Sequence, residues 1–173
     1  MGAGILPIAM RNGVIFFLMG QERSDNLWSD FGGSACKGEK IIQTAIREGT
    51  EELNGLMGSN LVLQSKVTNK LINVFHWDRY TTYLFKVDKD NNLPTYFDYS
   101  NQFAESHLKD IVLDNKNGLF EKTRIKWFTI GELEEQKIYF RPFYRNIITL
   151  LNDDYDLLLE YMTDDIFYNQ VDN

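Results

Sequence analysis

The chain has 173 residues, of which 43% are hydrophobic, 14% aromatic and 25% charged, enough apolar content for one domain with a real core and too much for a disordered chain. A formal net charge of −7 disfavours a general nucleic-acid binder, because phosphate contacts need a basic face. One cysteine, Cys36, and two histidines, His76 and His107, leave no intrachain disulfide, no cysteine-only zinc site and too few ligands for a histidine-rich centre.

The start, MGAGILPIAMRNGV, lacks a basic n-region and is interrupted by Pro7 and Arg11, so a signal peptide is not expected. With no apolar run near the roughly 20 residues of a membrane span, the expected setting is intracellular and cytoplasmic, away from membranes. Ile5 to Met10 reads as a strand, at an edge or bulge because of Pro7. Asn12-Gly13 is a hairpin turn signal. Val14 to Met19 is a continuous apolar run, as in a strand buried on both faces. Gln21 to Asp30 reads as a loop anchored by Trp28, and Phe31 to Ala35 as a short strand. A helix is predicted over Lys40 to Leu53, with Ile41, Ile42, Ala45 and Ile46 as its apolar side and Asn54-Gly55 as its stop. Leu61 to Val67, Leu71 to His76 and Tyr80 to Val87 read as strands. Asp88 to Pro94 reads as a polar loop and Asn101 to Leu113 as a helix. Arg124 to Thr129 reads as a strand, and Gly131 to Gln136 as a short acidic helix. Two C-terminal helices are expected, Pro142 to Leu151 and Tyr155 to Met162, with a frayed tail after Thr163. There is no repeat and no linker, so residues 1–173 are expected to form one mixed α/β (α+β) domain, its largely mixed or antiparallel sheet lying between helices.

One stretch, GGSACKGEKIIQTAIREGTEELNG from Gly32 to Gly55, is not explained by packing. Glu51 and Glu52 follow Glu48 by three and four residues, which puts the three carboxylates on one side of a helix. Like charges so placed repel by a few tenths of a kcal/mol per pair, roughly. Arg47 offsets only part of this, and hard divalent cations such as Mg²⁺ or Mn²⁺ prefer oxygen ligands of this kind.

Five residues separate Gly33 from Glu39, seven more lead to Arg47, and Glu48, Glu51 and Glu52 follow. These six positions and gaps resemble the Nudix box, the signature of the MutT-like hydrolases that cleave a nucleoside diphosphate linked to another moiety. Trp28 before the double glycine, and Glu121 to Glu135 late in the chain, extend the resemblance to about residues 5–150. Gly49 stands where the family has an aliphatic residue, Asn54 where a glycine closes the box, and Phe31 where a proline precedes the double glycine. No departure touches a charged position.

The resemblance implies an α/β/α sandwich and a Mg²⁺-dependent pyrophosphohydrolase, with Mn²⁺ as a substitute. Glu48 and Glu52 would be the first metal ligands, Glu51 the third, and the Gly32 carbonyl a backbone ligand. Arg47 would orient a helix carboxylate and Glu39 would steady the entry to the helix around Gly33. Glu121 is the first choice for a general base or extra ligand from outside the box, ahead of Glu105 and Asp98. Candidate substrate contacts are Arg23 and Lys37 for phosphates, Trp28, Phe31 and Tyr83 for stacking on a base, and His76; Tyr83 also fits a core role. The partner would be a small nucleotide-type molecule, with capped RNA the one nucleic acid left open and a homodimer undecided. Two other readings remain: a catalytically weak nucleotide-binding or sensor module, motivated by Gly49 and Asn54, and an mRNA-decapping enzyme.

Overall fold

A computed structural model describes residues 1–114 and 118–171, with side chains to Thr163. The sequence also predicts a longer loop over Asn115 to Glu121, and it lies partly outside the described residues. Strands β1 (Gly2–Arg11), β2 (Val14–Glu22), β3 (Trp28–Ser29), β4 (Phe31–Ser34), β5 (Leu71–Trp77), β6 (Tyr80–Lys86) and β7 (Lys122–Thr129) form one mixed sheet. β1 runs parallel to β6, while its other edge pairs antiparallel with β4 and then β2. β2 continues outward to β7.

The period of two along β1 and β2 sorts side chains to two faces. Leu6, Ile8, Ile15, Phe17 and Met19 enter one core, with residues of α5 (Ile130–Glu135), α6 (Tyr144–Asp153) and α7 (Tyr155–Val171). Ala3, Ile5, Ala9 and Leu18 enter the other, with residues of α1 (Ile41–Glu52), α2 (Asn60–Asn69) and α3 (Leu93–His107). This is the expected sandwich, with β2 buried on both sides as its apolar run predicts. Among the described residues, no helix is long and apolar enough to cross a membrane.

Several expectations are corrected. β1 is central rather than an edge; Pro7 falls between the β4-paired residues, which end at Ile5, and the β2-paired ones, which begin at Ile8. Leu61 to Val67 is helical, because Leu63 and Val67, four apart, are buried while Leu61 is 80% exposed. The third helix starts at Leu93 with Pro94 in its first turn and ends at His107, followed by the short α4 (Lys109–Val112). The last helix continues past Met162 to Val171. β2 and β7 each extend further toward the loops than expected, which brings Glu22 and Lys122 into register.

Gly49 has a packing cause. A Cβ there would lie 2.5 Å from Ile5 Cδ1 and 2.6 Å from Cγ1, so the glycine lets α1 settle on β1. We expect Gly49→Ala to cost about 1–3 kcal/mol of overpacking, less up to about 1 kcal/mol regained from helix propensity. Urea denaturation of Gly49→Ala, Ile5→Val and the double variant checks it: the double variant should be more stable than the sum of the single losses implies, and strict additivity would refute the contact.

Candidate active site

Arg47 is the hub of the box. Its Nε donates to Glu39 Oε1 at 2.8 Å and its Nη2 to Glu39 Oε2 at 3.1 Å. Its Nη1 lies 2.8 Å from Glu48 Oε1 and 3.1 Å from Glu51 Oε2. Glu39 also accepts from the Cys36 N–H and from Thr44 Oγ1, both at 2.9 Å. The Arg47 bonds first, and the Cys36 amide second, hold the Glu39 carboxyl at about 2. A planar guanidinium thus ties the loop before α1 to two carboxylates one turn apart.

The double glycine on β4 lies beneath this cluster. A Cβ on Gly33 would sit 2.6 Å from the Glu48 carboxyl, so only glycine lets that carboxylate lie on the strand. The Gly32 N–H donates to Glu52 Oε2 at 2.7 Å. Glu52 is only 2% exposed, and its second partner is the buried ammonium of Lys122, 3.4 Å away. Asn54, at φ 52°, ends α1 as expected and does more. Its Oδ1 accepts from the Phe120 N–H at 3.0 Å and its Nδ2 donates to Asn101 Oδ1 at 3.1 Å. Asn101 Nδ2 in turn donates to the carbonyls of Lys122, at 3.0 Å, and Thr123, at 2.9 Å. The start of β7 is thereby fixed to the end of α1.

The three helix carboxylates do not share one solvent face: their side chains are 14% exposed at Glu48, 28% at Glu51 and 3% at Glu52. Among the described residues, no three His, Cys, Asp or Glu side chains converge into a ready-made cage. Glu48 and Glu51 nevertheless fit a hard divalent ion, since Mg²⁺ is usually held by one or two carboxylates and completed by water and substrate phosphates. Glu121 lies close enough to interact electrostatically with both. Burial, then the charge of Glu22, raises its pKa, with Glu51 adding to the rise, while burial raises that of Glu48 against the pull of Arg47.

Two clefts flank this centre. One, of about 400 Å³, is lined by Glu22, Arg23, Leu119, Phe120 and Glu121 among others. Arg23 is held there by Glu105 at 2.9 Å and by the Phe120 carbonyl at 2.9 Å, which leaves Glu105 engaged. The other, of about 320 Å³, includes Gly32, Gly33, Trp77, Arg79, Arg141 and Phe143. Trp77 and Arg79 come from the β5–β6 turn. Arg141 is brought in by its N–H bond to the Trp28 carbonyl, 3.0 Å. These four side chains are absent from the sequence-based candidates: Trp77 and Arg79 follow His76 directly in the stretch HWDRY, whereas Arg141 and Phe143 carry no local signal.

Other candidates fall elsewhere. Trp28 is 8% exposed and packs edge-on against Phe128 at 5.1 Å, and Phe31 is fully buried, so neither ring is available to a base: apolar residues flanking the glycines serve the core. Tyr83 packs against the same core as Phe31. Lys37 is exposed near the start of α1, beside Gln43 and Arg47. His76 is exposed at the end of β5, 3.0 Å from Thr81 Oγ1. Asp98 lies on α3, partly buried.

No protein-family model matches the sequence, and neither does any curated protein. Solved structures do match. An Ap4A hydrolase from C. elegans in a binary complex aligns over 91% of this chain and 98% of its own, with 19% identity and a TM-score of 0.54. A bifunctional NMN adenylyltransferase/ADP ribose pyrophosphatase from Francisella tularensis, complexed with AMP and a Mn ion, aligns over 88% of this chain and 41% of its own, with 19% identity and a TM-score of 0.55. The chain has the Nudix fold. Within it the six box residues occupy β4, the loop that follows and α1, and their contacts are those described above.

Asp30, just before the double glycine, is fully buried and accepts from Tyr80 Oη at 2.7 Å and Thr82 Oγ1 at 2.9 Å. Burial, opposed by those bonds and by Lys122, pushes its pKa up to about 7. Unfolded, it titrates near 3.9, roughly. The folded state therefore holds the proton more tightly, and the Nudix-fold core loses stability as pH rises from about 4 through 7. In chelator, urea denaturation of Asp30→Asn should show a flatter decline over that range than the wild type; equal slopes would refute the assignment.

Proposed function

We propose that this protein hydrolyses the pyrophosphate linkage of a nucleotide or nucleotide derivative, with Mg²⁺ as cofactor and Mn²⁺ as a substitute. The observation that carries the reading is the Arg47 fork, which aligns Glu48 and Glu51 over a glycine pair between two clefts. The fold shared with an Ap4A hydrolase and an ADP ribose pyrophosphatase supports it. The reading takes residues 1–173 as one catalytic domain acting in the cytoplasm on a small molecule.

Each element has a physical task. Glu48 and Glu51 would hold the ion, which when bound neutralises phosphate oxygens and acidifies water. Arg47 keeps the two carboxylates aligned before substrate arrives, so little reorganisation is left to the reaction. Glu121, its pKa raised by burial and by Glu22, would take a proton from the attacking water. Arg79 is exposed and has no ion pair among the described residues, so its charge is available to phosphate. Trp77, 43% exposed, offers a face to a base.

The sensor reading rested on Gly49 and Asn54. Gly49 makes room for Ile5, and Asn54 caps α1 while anchoring β7, so both have structural work compatible with activity.

A panel of nucleoside triphosphates, nucleotide sugars, dinucleoside polyphosphates, diphosphoinositols and capped RNA, with Mg²⁺ or Mn²⁺, tests the proposal. We expect turnover of at least one small nucleotide, a kcat lower by about 10²–10³ in Glu51→Gln, and a higher KM with kcat kept in Arg79→Ala. Ligand binding without turnover would favour the sensor reading. Preferential cleavage of capped RNA would favour decapping. Unchanged activity in Glu51→Gln would defeat the metal–carboxylate mechanism.

A further inference from the structure

Tyr80 opens β6, yet its side chain reaches two strands away. β1 lies between β6 and β4, with Gly2 opposite Tyr80, and with Gly4 opposite Thr82 on one side and Gly32 on the other. The Tyr80 ring crosses this row of glycines instead of standing off the sheet. A Cβ on Gly2 would lie 2.9 Å from Tyr80 Cδ2, and one on Gly4 or Gly32 would collide with the Tyr80 hydroxyl. Three glycines on two strands thus form a trough for one side chain, and its far end is gripped. Asp30, between β3 and β4 and fully buried, accepts from Tyr80 Oη at 2.7 Å with one oxygen and from Thr82 Oγ1 at 2.9 Å with the other. One carboxylate therefore joins the approach to the double glycine to β6, across β1.

The Tyr80 ring is only partly buried, and it lines the cleft that also holds Trp77, Arg79, Arg141 and Phe143. Phe143 packs against it, with ring centroids 4.8 Å apart and planes tilted by 55°. We propose that Asp30 is a positioning residue for this cleft: through Tyr80 it fixes the aromatic floor on which a planar group, the base of the substrate nucleotide, stacks. A ring held in a trough and bonded at its tip loses little freedom when a ligand settles on it, so the contact is preorganised. The hydroxyl is committed to Asp30, so the floor offers an aromatic face rather than a donor. Such a floor selects a planar group over a flexible one and does not read the edge of the base.

The inference rests on the reading that the protein acts on nucleotides. Calorimetric titration of the full-length protein with AMP and with ribose 5-phosphate, alongside turnover of a nucleotide substrate, tests the two separately. Tyr80→Phe and Asp30→Ala should each weaken AMP binding by about threefold to tenfold, the loss expected for one hydrogen bond. Each should raise KM by the same factor with kcat kept within about twofold, and leave ribose 5-phosphate binding unchanged. Asp30→Asn, which keeps an oxygen to accept from Tyr80, should stay nearest the wild type. Adding Asp30→Ala to Tyr80→Phe should cost nothing further, because Asp30 acts through that hydroxyl. Unchanged AMP binding in Tyr80→Phe, additive losses in the double variant, or equal losses for ribose 5-phosphate would each overturn the proposal. A wild type that turns over a nucleotide without binding AMP would overturn it too, and leave the hydrolase reading standing. The expected pattern of AMP binding with no turnover of any nucleotide would sink the hydrolase reading and keep the assignment of Asp30. If Asp30→Ala does not fold, Tyr80→Phe and Asp30→Asn decide.

Discussion

Helix α1 carries three carboxylates within five residues, Glu39 faces it from the preceding loop, and Glu22 and Asp30 are buried nearby. Repulsion among such charges grows as water is removed, because the effective dielectric falls. Two cations within the protein make this density tolerable. Arg47 gathers Glu39, Glu48 and Glu51 on the solvent side of the helix, and Lys122 gathers Glu22 and Glu52 on the strand side. The outer group keeps partial exposure and the inner group has almost none. That asymmetry follows from the shapes of the cations. A guanidinium can fork to several carboxylates from a surface position, whereas an ammonium on a long apolar stem can be threaded through a core.

The rest of the fold positions these two groups. The helix must sit close enough to β4 for Glu48 to lie on Gly33 and Glu52 to reach the Gly32 amide. Gly49 permits the approach on the β1 side by leaving space for Ile5, and Asn54 and Asn101 fix the far end of the helix to the start of β7. The sheet order matters as well. β7 adds to β2, so the residue entering β7 falls opposite the residue leaving β2, and Lys122 meets Glu22. The entry to β7 thus brings Glu121 to the cleft just before the strand begins and Lys122 to the interior as its first residue.

The outer group was legible in the sequence because its parts are local. Arg47, Glu48 and Glu51 share one helix, and Glu39 lies in the loop just before it, eight residues ahead of Arg47, so local geometry brings them together. The inner group was not legible: Lys122 and Glu22 lie a hundred residues apart and meet only through strand pairing and a bulge. Arg141 reaches its cleft through a backbone bond to Trp28, again without a local pattern. The misread segment Leu61 to Val67 shows a different limit. Its apolar residues satisfy both periods over so short a run, and what decides for helix is the core, which accepts Leu63 and Val67 and leaves Leu61 in water. Trp28 and Phe31 show a third: aromatic residues beside a ligand-like loop look available in sequence, but each is buried in one of the two cores on either side of the sheet.

Burial also separates the two groups by what the loss of a cation would cost each. Glu48 and Glu51 keep partial contact with water beside Arg47. Glu52 does not: it is nearly inaccessible to water, and a buried carboxylate stripped of its partner is costly, by about 3–5 kcal/mol for a broken buried pair. Lys122, fully buried and 3.4 Å from Glu52, offsets that cost from the strand side, while the Gly32 amide does so from β4, so the same contacts that satisfy the carboxylate also hold the end of α1 against the sheet.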